Sequence, residues 1–120
     1  MSNEDLIDAD LTGAELWQAD LCFANLSGTN LSGANLSGAN LSGANLIRAD
    51  LSGASLSKAN LPGANLSGTN LSEGGLSGAE LWQADLCFAD LSGANLDSVL
   101  REDYYGAENV PAKYIKEEED

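Results

Sequence analysis

The sequence has no histidine, and only five lysine or arginine residues face nineteen aspartates and glutamates, for a net charge of −14 over 120 residues. Without histidine there is no Ser-His-Asp or Cys-His catalytic machinery, and two cysteines alone cannot build an ordinary zinc site. The shortage of bases excludes unassisted binding to nucleic-acid phosphates or to an anionic membrane surface. No apolar run approaches the roughly 18 residues that a membrane span requires. The opening residues Met1-Ser2-Asn3-Glu4-Asp5 lack the basic and apolar regions of a signal peptide, so a cytoplasmic setting is expected. No cofactor and no metal are expected.

What is present is a lattice. Leucine occupies position 6 and every fifth position through Leu96, nineteen times without a miss. Two residues before each leucine stands a small residue, alanine in fifteen of nineteen cases; Glu4, Thr29, Thr69 and Gly74 are the exceptions. Asp, Asn, Glu, Ser or Gly directly precedes the leucine, serine most often follows it, and glycine comes next in ten repeats. The unit reads A-(D/N)-L-S-G.

Period five suits neither regular element. On a helix at about 100° per residue the leucines would wind round every side, and on a straight strand an odd period would alternate them between faces. The chain must turn once per repeat to keep every leucine on one side. Ser-Gly supplies the turn, because glycine at the second central position accepts the positive φ of a type II turn. Repeats carrying Gln18, Phe23, Arg48, Lys58, Glu73, Gln83 or Phe88 there are expected to use turns with negative φ instead. Four corners close a coil of twenty residues, and coils stack as parallel strands about 4.8 Å apart, with columns of leucine and alanine inside. An unbroken register over ninety residues is incompatible with a disordered linker despite the low-complexity composition.

The A-(D/N)-L-x-x register, nineteen units across about residues 4 to 98, resembles the pentapeptide-repeat proteins. The resemblance implies an all-β fold, a right-handed quadrilateral parallel β-helix of just under five coils, with the Leu and Ala series inward. It implies no single function.

Departures from the lattice are the candidate functional features. Glu15-Leu-Trp-Gln-Ala-Asp-Leu-Cys-Phe-Ala recurs unchanged from Glu80 to Ala89, an offset of three coils plus one side. Trp17, Phe23, Trp82 and Phe88 fall at outward corners and form a candidate interaction surface; the alternative is that they shield the end coils. Cys22 and Cys87 are about three coils apart, too far for a bridge, and read as free thiols. Thr29 and Thr69 point inward, so each hydroxyl must bond a nearby carbonyl. Gly74-Gly75 predicts a bulge or small defect. Stacked asparagines such as Asn25, Asn45 and Asn65, or Asn40 and Asn60, predict amide ladders along the rod.

The repeats define a β-helix over residues 1–96, followed by a cap and acidic tail over 97–120. Asp97 to Gly106 reads as a short α-helix with Val99, Leu100 and Tyr104 on one face, closing the last coil. The alternative for the C-terminal tyrosines is a homodimer contact; a monomer is expected. Lys116 to Asp120 is expected to fray.

Function follows as an expectation: a non-enzymatic structural or protein-interaction module with an unidentified protein partner. The alternative is a DNA mimic that inhibits a type II topoisomerase such as DNA gyrase. Mimicry needs charge along the whole rod, whereas residues 25–79 carry Asp50 and Glu73 against Arg48 and Lys58 and sum to zero. A binder of ice or polysaccharide lattices would need outward threonine ladders, which are missing.

Overall fold

The computed structural model describes residues 6–115; the Glu4 exception and the Lys116–Asp120 tail lie outside them. Fourteen parallel bridges connect residues twenty apart, from Asp10 with Asn30 to Gly75 with Asn95. Twenty residues per turn, divided by a five-residue side, gives the four-sided parallel β-helix that the register predicts. Each side meets the next coil through one bridging residue rather than a longer strand. Two corner residues per repeat leave only three extended, so a ladder has no room to lengthen.

Two repeated bonds knit the coils. The leucine amide donates to the carbonyl of the residue before the next leucine of its column, as from Leu31 to Asp50 (2.7 Å), and the residue before a leucine donates back, as from Asn35 to Ala14 (2.9 Å). Each corner is closed by a third bond, such as Ala39 amide to Leu36 carbonyl at 3.0 Å. With the backbone satisfied, the interior can be wholly apolar. Leu26 through Leu96 are at most 1% exposed, and the alanines between them are at most 5% exposed apart from the partly buried Ala84. Thr29 and Thr69, also fully buried, donate to the carbonyls of Leu6 (2.7 Å) and Leu46 (2.6 Å), one coil back on the neighbouring side.

Three expectations are corrected. At Gly74-Gly75 there is no bulge: Gly75 bridges both Ser55 and Asn95, and Gly74 closes its corner on Leu71 at 2.9 Å. The regular backbone bonds hold the coil in place without the alanine. Among the described residues, stacked asparagines form no amide ladder. Their Oδ1 atoms instead accept the backbone amide two residues on, as Asn45 does from Ile47 and Asn65 from Ser67 (both 3.0 Å). The side chain is thereby turned along the chain to cap the corner, away from its stacked neighbour.

The α-helical cap is also absent. Arg101–Tyr104 and Ala112–Tyr114 are single 3-10 turns. The coil register makes one corner beyond Leu96, with Val99 amide bonded to Leu96 carbonyl at 3.0 Å. The chain then cuts across the rod and rejoins the stack. Tyr104-Tyr105-Gly106-Ala107-Glu108 acts as a further repeat: Ala107 closes on Tyr104 at 3.2 Å, Gly106 has positive φ, and Glu108 bridges Asp90. That final bridge spans eighteen residues instead of twenty, so the last coil is two residues short. Rejoining the stack in so few residues leaves no length for an α-helix.

Candidate functional site: the corners of the rod

The corners carry the side chains that the core does not use, and their geometry departs from expectation. All nine corners lacking glycine at the second central position have positive φ there, from 58° at Gln18 and Arg48 to 66° at Ser98. Phe23 (61°) and Phe88 (65°) match the glycines, which lie near 66–71°. The expected switch to negative φ is therefore wrong. The first central residues have no positive φ, which makes these turns type II throughout. Local preference costs about 1–2 kcal/mol for a non-glycine residue in this region, but a negative φ would misdirect the amide that bonds the next coil. Gln18 amide reaches Ser37 carbonyl at 2.8 Å and Phe23 amide reaches Ser42 at 2.9 Å, as glycine does elsewhere. The stack overrides the residue.

The large corner side chains obey a spacing rule. Six of them, in the first four coils, lie along the rod over the equivalent corner of the next coil, where a glycine waits: Asp8 over Gly28, Gln18 over Gly38, Phe23 over Gly43, Arg48 over Gly68, Lys58 over Gly78, Glu73 over Gly93. A Cβ at Gly43 would overlap the Phe23 ring, and one at Gly93 the Glu73 carboxylate. Gly33, Gly53 and Gly63 have no such neighbour and open space beside them. The signal was present in the sequence as a large residue followed twenty positions later by glycine.

The four predicted aromatic residues all project into solvent: Trp17 is 59% exposed, Phe23 65%, Trp82 52% and Phe88 71%. The offset of the two copies brings Trp82 onto the same corner column as Cys22-Phe23, three coils away, with Pro62 between them. Trp17 and Phe88 stand on the two flanking columns. The first copy sits in the opening coil and the second in the closing ones. Of the three predicted cap residues, Tyr104 is buried, Val99 packs partly against the core, and Leu100, 62% exposed, points away from it.

Acidic residues at the bridging positions beside the corners are held ionised by local hydrogen bonds. Asp10 lies below the usual carboxylate range because it accepts both the hydroxyl (2.7 Å) and the amide (3.2 Å) of Thr12. Asp85 is lowered by the Cys87 amide at 3.0 Å, and in turn pushes the Cys87 thiol up, away from the reactive thiolate. Asp90 is lowered by the Ser92 amide and by Asn109 Nδ2 at 3.1 Å. Among the described residues, no group of three acidic or thiol side chains is gathered to hold a metal ion, and no helix is long and apolar enough to cross a membrane.

The second copy lies beside a gap in the backbone pairing. Coil stacking continues through Gly78 amide to Asp97 carbonyl (3.0 Å) and resumes at Phe88 amide to Gly106 carbonyl (2.9 Å). In between, the amides of Leu81, Gln83 and Leu86 and the Ala79 carbonyl find no backbone partner among the described residues. Leu100 carbonyl, which the register would offer to Leu81, instead accepts Asp103 amide at 2.9 Å within the first 3-10 turn. Sequence reasoning missed this edge, because it depends on how the last coil is shortened.

No curated protein matches the sequence. Solved structures do. A pentapeptide repeat protein from the thylakoid lumen of Arabidopsis thaliana is 31% identical, with a TM-score of 0.67 over 91% of this chain and 68% of its own. A pentapeptide repeat protein, Rfr23, from the cyanobacterium Cyanothece 51142 is 36% identical with a TM-score of 0.55, covering 89% of this chain; the match spans 58% of the cyanobacterial protein. The family model for pentapeptide repeats matches eight copies, over residues 5–43, 34–73 and 76–99. The lattice, the four-sided coil and these matches agree: the chain belongs to the pentapeptide repeat family.

Proposed function

We propose that this protein is a non-enzymatic interaction module, a right-handed rigid rod that presents aromatic corners at its two ends to a protein partner. The observation that carries this reading is the exposure of Trp17, Phe23, Trp82 and Phe88 on corners fixed by backbone bonds. Aromatic side chains held rigid lose little entropy on binding and are favoured anchors at interfaces. The free thiols Cys22 and Cys87 are consistent with a reducing compartment such as the cytoplasm. A monomer is the form this reading assumes, since Tyr104 already covers the closing coil.

The charge map weighs against DNA mimicry. Residues 25–79, most of the rod, are neutral overall, while a phosphate-binding groove gains from charge spaced along its length. The discriminating experiment pairs affinity capture from a soluble extract with a supercoiling assay on purified DNA gyrase. The interaction reading expects capture that is lost with Trp17→Ser plus Trp82→Ser and no gyrase inhibition at submicromolar protein. Salt-sensitive gyrase inhibition, with capture unchanged in the double variant, would reverse the ranking.

A further inference from the structure

The first copy of the aromatic segment sits on a coil that is open on its outer side. From Leu6 to Asp20 no residue is buried, whereas one coil on Leu26, Thr29, Leu31, Ala34, Leu36 and Ala39 are at most 1% exposed. Along the side from Ala14 to Leu16, Glu15 amide, Glu15 carbonyl and Trp17 carbonyl have no backbone partner among the described residues. The second copy provides the contrast, because there the same three groups are all used. Glu80 amide bonds Ala59 carbonyl (3.0 Å), Glu80 carbonyl accepts Leu61 amide (2.8 Å) and Trp82 carbonyl accepts Gly63 amide (3.1 Å). Ala79 and Leu81 are also buried, while Ala14 and Leu16 are partly exposed. Identical residues thus present a reachable edge at the opening end alone.

Charge decides what fits this edge. Residues 1–24 hold six acidic side chains and no lysine or arginine. Two opening ends would therefore repel. At the closing end Arg101 and Lys113 are outnumbered by Asp97, Glu102, Asp103 and Glu108. A second copy is a poor occupant, and a partner bearing bases a good one. Among the acids, Asp10 and Asp20 each give an oxygen to the amide two residues on, Thr12 and Cys22, both at 3.2 Å. Glu15 accepts one long bond, 3.4 Å from Asn35 Nδ2, which leaves its carboxylate for a cation.

We infer that the Glu15 side of the opening coil docks an extended segment of another protein, added in parallel, in which a lysine or arginine stands between two apolar residues. The inference rests on the interaction reading above and names its partner chemistry. The pairing is set by the later coils. The first apolar residue accepts from Glu15 amide through its carbonyl and packs on Ala14. The second donates its amide to Glu15 carbonyl and packs on Leu16. The base between them meets the Glu15 side chain at one strand spacing, about 4.8 Å. Two residues further on, an amide reaches Trp17 carbonyl where the segment turns as the rod's own corners do. Backbone bonds give such strand addition its affinity, and side chains give its selectivity. A helix cannot satisfy the row, because its own backbone amides and carbonyls are already paired.

The test uses a capped pentapeptide, alanine-lysine-leucine-serine-glycine, titrated into the full chain and read by NMR chemical shifts and amide exchange. The expected result is that the Glu15 amide, which exchanges fast in the free protein, slows on binding, while the Glu80 amide is slow throughout. N-methylation of the peptide's leucine amide, or replacement of its lysine by glutamate, should weaken binding at least tenfold. Glu15→Gln should weaken it several-fold with unchanged circular dichroism, and Glu80→Gln should leave it unaltered. Equal binding of the N-methylated peptide, equal losses in Glu15→Gln and Glu80→Gln, or no binding at all overturns the proposal. So does slow exchange of the Glu15 amide without peptide, whether it grows with protein concentration (a second copy) or vanishes on removal of residues 1–5 (the chain's own start). Partner capture lost in Trp82→Ser and retained in Trp17→Ser ends this proposal but leaves the interaction reading intact. Capture retained in the double variant ends the interaction reading separately.

Discussion

The two ends of the rod are built from nearly the same residues and finished differently. The opening coil carries Glu15–Ala24 and the closing coils carry its copy, yet Leu6, Leu11 and Leu16 are partly exposed whereas Leu81, Leu86, Leu91 and Leu96 are at most 1% exposed. The segment after Leu96 makes the difference. At the closing end Tyr104 takes a leucine's place above Leu86, and Gly106 and Glu108 continue the backbone bonds over two sides. A β-helix end is therefore closed by imitating another coil: three backbone bonds and Tyr104 continue the stack, and Val99, Ala107, Val110 and Tyr114 pack against the core beside it.

The largest effect expected from this comparison is between central and end leucines. Leu46→Ala should destabilise by roughly 2–5 kcal/mol, and Leu11→Ala, which is only partly buried, by about 1–2 kcal/mol. Urea unfolding of both variants checks this, and equal losses would break the contrast. Tyr104→Ala should cost about 2–3 kcal/mol and make the closing end resemble the opening one. Exchange of the Phe88 and Leu91 amides, which bond Gly106 and Glu108, should then accelerate to the rate of fraying coil ends.

A finer comparison separates the two demands on glycine. Gly33→Ala meets only the positive-φ penalty, about 1 kcal/mol. Gly43→Ala must also displace the Phe23 ring and should cost about 1 kcal/mol more, an excess that Phe23→Gly removes in a double-variant cycle. Gln18→Gly should stabilise by a few tenths of a kcal/mol up to about 1, since it releases strain at φ 58°.

The smallest effect concerns charge. Asp85 and Asp90 have depressed folded-state values through local hydrogen bonds, as does Asp10. Their contribution to stability is complete above the ordinary aspartate range and disappears as pH falls through the folded values. Carboxyl titration by NMR should place all three below the ordinary aspartate value of 3.8. Asp90→Asn, which keeps the acceptor for Ser92, should change neutral-pH stability little.

The core was legible in the sequence because one physical demand, burial of leucine and alanine in a turning chain, was repeated nineteen times. Corner geometry was not, since the preference of Phe23 or Arg48 for negative φ is local, while the bonds to the next coil act on every corner together. The asparagine side chains were misread for a related reason. Stacking brings Asn45 near Asn65, but a backbone amide two residues away offers each a shorter route to the same bond. Tyr104 was expected, with Val99 and Leu100, on one face of a short α-helix covering the last coil. Its entry into the leucine column, and the edge left unpaired at Leu81 and Gln83, result from a coil two residues short, a length that no local motif encodes.

Large corner side chains lying over glycines also limit how such a gene can lengthen. Duplicating one coil is the simplest way to extend a periodic rod, yet a copy of Glu15–Ala24 placed twenty residues on would set a second phenylalanine where Gly43 now makes room for Phe23. A tandem event of that size is sterically blocked at every occupied corner. Duplications that skip a coil, or that shift by one side as the sixty-five-residue offset does, pass freely. The pattern of glycines along a corner thus acts as a filter on which recombination products can fold, and it spreads the aromatic residues apart as the chain grows.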